Sequence, residues 1–122
     1  MKPDDHIHKL TGMERTLRKL DDVSDYEAIV ELCMLVSAHY LNAALHKLNV
    51  TPIDRDIKHN KLAGEIRRRR VRELIAVCGA IEGLEGLRPR HVYGKGGDGE
   101  VARLARKSLA EVRKSCLQVL KG

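Results

Sequence analysis

The chain has 122 residues, enough for one domain with its own core (residues 1–122) and too few for two. Hydrophobic residues at 43% and charged residues at 33% exclude a disordered chain, and an aromatic share of 2% argues against stacking platforms for single-stranded bases. A formal net charge of +6, from 23 Lys plus Arg against 17 Asp plus Glu, permits an anionic partner such as RNA or a nucleotide without proving one.

Over residues 4–20 the apolar side chains Ile7, Leu10, Met13, Leu17 and Leu20 recur every three or four positions, one stripe of an amphipathic helix. His6 and His8 lie near the chain end, where order is doubtful. Asp21, Asp22, Ser24 and Asp25 then suit a tight connection and the N-cap of a second helix over residues 25–48. Its stripe runs from Tyr26 and Ile29 through Cys33, Val36 and Tyr40 to Leu48. Asn49 reads as its stop, and Thr51-Pro52 bars continuation.

The spacing predicts a third helix that opens between Asp54 and His59 and runs to about Gly83. Its stripe is Leu62, Ala63, Ile66, Val71, Leu74, Val77, Cys78 and Ile81, and Gly83, Gly86 and Pro89 end it. On this helix Arg70 falls between Ile66 and Leu74 and points to the core or an interface, with Glu31 or Glu73 as its counter-ion. The glycine-rich residues 94–99 form a connection that lacks the Lys-Ser/Thr ending of a phosphate loop. Asp98 caps a last helix to Lys121, with Val101, Leu104, Ala105, Leu109, Val112 and Cys116 on one side. With no period-two alternation the expected class is all-α, an antiparallel up-and-down four-helix bundle.

Cys33, Cys78 and Cys116 are widely spaced at apolar helical positions and read as buried thiols in a reducing compartment. The acidic start of the chain does not match a signal peptide, and no uncharged apolar run reaches the length of a membrane span; a cytoplasmic location without membrane attachment is expected. His39 and His46 are seven apart, two helical turns and too far for one ion, so neither a metal nor a cofactor is expected. Residues 55–72 hold eight basic and two acidic side chains, a stripe able to neutralise phosphates or to face solvent.

Two segments carry a family resemblance. Ser37-Ala-His-Tyr-Leu-Asn-Ala-Ala-Leu-His46 is followed, after a Pro-containing turn, by Asp56-Ile-Lys-His-Asn60; later comes Leu87-Arg-Pro-Arg-His-Val-Tyr-Gly94. Their order resembles the HEPN superfamily of small helical bundles. That resemblance implies a nucleotide- or RNA-binding module, expected as a homodimer and as the partner of a minimal nucleotidyltransferase. The site residues it points to are Arg88, His91 and Tyr93, with Arg55, His59, Arg90 and Lys95 beside them.

In ribonuclease members of that family an Arg would hold the scissile phosphate and a His would move the proton. Here Arg88 stands three positions before His91 and Arg55 four before His59, both shorter than the family spacing. A metal-independent, toxin-type endoribonuclease with a degenerate motif is therefore the alternative enzyme reading. A non-catalytic interaction domain docking through residues 67–72 is the alternative without a ligand.

Overall fold

The computed structural model describes residues 1–92 and 99–122, with side chains for all of these except residues 88–92. Five α-helices occur among the described residues: α1 (Pro3–Arg18), α2 (Tyr26–Lys47), α3 (Leu62–Arg68), α4 (Cys78–Val92) and α5 (Glu100–Lys121). Single 3-10 turns, His59–Lys61 and Ile75–Val77, lead into α3 and α4. The all-α class is as expected, but the single third helix is divided in two, so four helices become five.

The division follows from chain geometry at residues 66–71. Arg70 takes φ 54°, and the Val71 and Arg70 amides donate back to the Ile66 and Arg67 carbonyls at 3.1 Å each. This reversal ends a helix with a left-handed residue and tucks the next apolar side chain against the last turn. Val71 is accordingly buried while Arg70 is exposed, so Arg70 points neither to the core nor into an interface formed by the bundle. Asn49, at φ 59°, closes α2 in the same way through Val50–Leu45 and Asn49–His46 bonds, where a stop is expected.

Gly83, Gly86 and Pro89 do not end α4, which continues to Val92. Each helical glycine costs about 1 kcal/mol relative to Ala. Ile81, Leu84 and Leu87 are buried on the same helix, and their packing outweighs that cost. Gly83 also lies against α5, where an added Cβ would sit 3.8 Å from the Ser108 hydroxyl.

α2 is the central element and packs against α1, α4 and α5. By length and composition it could cross a membrane, yet 67% of its apolar stretch is buried inside the bundle, as in a core helix. Ile29, Val30, Cys33, Leu41 and Leu45 of α2 meet Leu10 and Leu17 of α1 and Val101, Ala105, Leu109 and Val112 of α5 in one core. The three cysteines are free and buried, and burial pushes the Cys33 and Cys116 thiols up to about 12.

Two arginines of α5 fasten the α1–α2 corner. Arg106 donates to Asp22 at 2.8 Å and to the Leu17 and Leu20 carbonyls at 3.1 Å, while Arg113 donates to Glu14 at 3.1 Å. Within that corner the Asp21 carboxylate accepts from the Val23 and Ser24 amides, which turns the chain into α2. α5 opens at Gly99, whose φ of 85° suits glycine; the expected cap Asp98 lies outside the described residues.

Candidate functional sites

Three of the six histidines meet where α1, α2 and the loop after α2 converge. α2 presents His39, Asn42 and His46 at spacings of three and four, one face of the helix. α1 lays His6 between the two histidines, with ring centroids 5.1 Å from His39 and 5.4 Å from His46. His6 is therefore ordered and 1% exposed, against the expectation of a loose chain end.

The loop is pinned by Asn42. Its amide donates to the Ile57 carbonyl at 3.0 Å and its carbonyl accepts from the Ile57 amide at 2.8 Å, as a neighbouring strand would. That contact sets Asp56 over the rings: its Oδ1 lies 3.0 Å from His6 Nε2 and 2.8 Å from His46 Nε2. On the far side of the rings His46 Nδ1 faces the Thr51 hydroxyl at 2.9 Å and the Thr51 carbonyl at 3.2 Å. His6 Nδ1 faces His39 Nδ1 at 2.8 Å. The Met1 amino group lies 3.5 Å from the same Asp56 oxygen.

Burial disfavours the charged form of two of the rings. Burial lowers the pKa of His6 and of His39, against the pull of Asp56. Burial alone would raise Asp56, but the hydrogen bonds from His46 and His6 together outweigh it and hold the carboxylate below its ordinary range. In the neutral state both Nε2–H groups donate to Asp56, the Thr51 hydroxyl donates to His46 Nδ1, and His39 donates to His6. Asp56 itself is 38% exposed, so the cluster has one open side.

A second histidine–carboxylate pair joins residues 26 apart in sequence, between the turn that leads into α3 and helix α4. His59 Nδ1 contacts Glu85 Oε1 of α4 at 2.5 Å, and both side chains are about 30% exposed, at 31% and 28%. They line a cleft of about 370 Å³ with Asn60, Gly64, Ile81 and Glu82. At its rim Arg67 of α3 grips Glu82 of α4 through two bonds of 2.6 and 2.8 Å. Arg68 and Arg69 instead pair with Glu65, at 2.6 and 3.9 Å, so three of the four arginines at 67–70 are engaged by neighbouring acids.

Of the residues singled out by sequence, His59 lines this cleft and Arg55 is exposed on the preceding loop. The helical backbone of α4 carries Arg88, Arg90 and His91, but their side chains, and Tyr93 and Lys95 altogether, lie outside the described residues. Sequence reasoning missed Glu85 and Asp56 as partners, and it missed the meeting of His6 with His46. The available signal was the shared face of His39, Asn42 and His46; the approach of α1 to that face has no counterpart in local spacing.

No protein-family model, no curated protein and no solved structure matches this chain.

Proposed function

We propose that this chain is a HEPN-type helical module that binds a nucleotide or an RNA segment at the His59–Glu85 cleft and serves a minimal nucleotidyltransferase in the cytoplasm. The observation that carries this reading is the His59–Glu85 contact in the wall of a cleft of about 370 Å³, a volume within the range of small-ligand sites. The carboxylate holds the proton on Nδ1 and leaves Nε2 free to meet a ligand. Asn60 adds an amide, and Ile81 gives an apolar wall for a base or sugar. Arg55 precedes His59 by four positions, and Arg88 follows Glu85 by one turn along α4, so basic residues flank both elements.

The same contact favours one second reading, the metal-independent endoribonuclease. An imidazole oriented by a carboxylate is a general base, and RNA cleavage through the 2′-hydroxyl needs one beside a phosphate-binding Arg.

The test is equilibrium binding of a nucleotide panel and an RNA pool, in EDTA, to wild type, His59→Ala and Arg88→Ala. Binding that weakens at least about tenfold in both variants supports the module, since a lost charged hydrogen bond is worth that much. Cleavage of the pool that disappears in His59→Ala selects the ribonuclease. Binding untouched by either variant overturns the cleft as the site; a partner protein then lost in Arg68→Glu/Arg69→Glu would identify an interaction domain.

A further inference from the structure

The histidine cluster is separate from the His59–Glu85 cleft and does not depend on its reading. One ligand atom from each of His6, His46 and Asp56 lies within 4.8 Å of the others, and both Nε2 atoms face the Asp56 carboxylate oxygen. We propose that His6, His46 and Asp56 form a binding site for a divalent transition-metal ion of the zinc class, with a coordination position left open toward solvent.

The donor set is that of three-ligand zinc sites, in which a water takes the fourth place. Bonds of about 2.0–2.1 Å at tetrahedral angles separate ligand atoms by roughly 3.3 Å. The two histidine–aspartate separations are 3.0 and 2.8 Å, so the ion enters after an outward shift of a few tenths of an ångström. Asp56 is the ligand able to make that shift, being on a loop and 38% exposed, while the histidines are fixed on α1 and α2.

The surrounding shell supplies the stronger argument. A histidine that binds metal through Nε2 carries its proton on Nδ1 and donates it to a second group, which fixes the ring. At His46 that group is present: the Thr51 carbonyl, 3.2 Å from Nδ1, can only accept. At His6 the acceptor is His39 Nδ1 at 2.8 Å. Without a metal the Thr51 hydroxyl must supply the proton to His46 instead, at 2.9 Å from the same nitrogen. Thr51 therefore offers a partner to either tautomer of His46. Metal uptake moves the proton from Nε2 to Nδ1 on His46 and His6 and, in the opposite sense, from Nδ1 to Nε2 on His39. The loop side is equally prepared, because Asn42 holds Ile57 at both its amide and its carbonyl, next to Asp56.

Tag-free protein, stripped with EDTA and exchanged into chelator-free buffer, would be titrated with zinc chloride by calorimetry and with cobalt(II) by absorption. The expected result is one equivalent of zinc per chain. Cobalt should give visible ligand-field bands without a near-ultraviolet thiolate band, because the cysteines lie elsewhere in the core. Asp56→Asn and His46→Ala should each weaken zinc by more than about 100-fold, while the exposed His8→Ala should not. Asp56→Asn decides the matter if His46→Ala does not fold, since its side chain lies at the surface and its fold can be checked by circular dichroism in EDTA. Absence of saturable binding in wild type, or zinc affinity unchanged in folded Asp56→Asn, overturns the proposal.

Discussion

The two most polar regions of this small bundle manage charge in opposite ways. Around Asp56, two imidazoles that are 1% and 4% exposed share one carboxylate, Thr51 and His39 complete the rings' bonding, and Asn42 holds the adjacent Ile57 backbone. Around residues 67–70, four arginines stand on the surface; Arg67 and Glu82, the best-formed pair, are half exposed at 50% and 51%. The first region holds two titratable rings in the interior, where an unmade bond is expensive, with a third, His39, half-buried beside them. The second rests in water, where two long side chains gain little from each other. Distances are similar in both, 2.6–3.0 Å, so burial rather than bond length sets what each region contributes.

The sharpest way to break this contrast is to delete one member from each side in metal-free protein. His46→Ala removes a buried ring, leaves a cavity and strands the Thr51 hydroxyl; a loss of about 3 kcal/mol is expected. Arg67→Gln should leave the urea midpoint where it is. Urea unfolding with an unchanged m-value measures both, and comparable losses in the two variants would refute the ranking.

Acidification separates the regions next. His6 and His39 have folded pKa values below the ordinary 6.5 because they are buried, so the unfolded chain takes up protons that the folded chain refuses. Stability is then full above pH 6.5 and declines below it, by up to about 1.4 kcal/mol per pH unit for each such histidine. Asp56, also held below its ordinary 3.8, adds a further loss only below that pH. In EDTA, urea midpoints between about pH 7 and 5 should fall in wild type and fall about half as steeply in His39→Gln. An unchanged slope in the variant would assign the titration to other groups.

The burial pattern explains how much of this was legible. The apolar stripes of α1, α2 and α5 follow from spacing, because long helices bury one face at a period fixed by their own geometry; Leu104 of α5 is the exception, 40% exposed. Ile66, Val71, Leu74, Val77, Cys78 and Ile81 are core as their spacing predicts, although they are spread over α3, the connection after it, the turn at Ile75–Val77 and α4. What local spacing did not expose was the break between them. A step of five from Ile66 to Val71 fits no single helical face, and reading it as continuous forced Arg70 inward. The histidine cluster was illegible for a different reason: His6, His46 and Asp56 are 40 and 10 residues apart, and only the packing of α1 on α2 unites them. Conversely the arginine run, the loudest signal in the sequence, is engaged largely by Glu65 and Glu82.

That same break supplies the smallest prediction and one that tests the surface region by its backbone rather than its charges. Arg70 occupies the left-handed conformation at φ 54°, where a Cβ crowds the carbonyl and costs about 1 kcal/mol or slightly more. Glycine escapes that strain, although its greater freedom in the unfolded chain returns part of the gain. Because the Arg70 side chain is exposed, its removal forfeits no packing. Arg70→Gly should therefore stabilise the fold by about 0.5–1 kcal/mol, read as a raised urea midpoint at constant m-value. Arg70→Ala keeps the Cβ and should gain nothing. If alanine stabilised the chain as much as glycine, relief of charge crowding among the arginines, not relief of backbone strain, would be the cause, and the arginine turn would be an electrostatic liability after all.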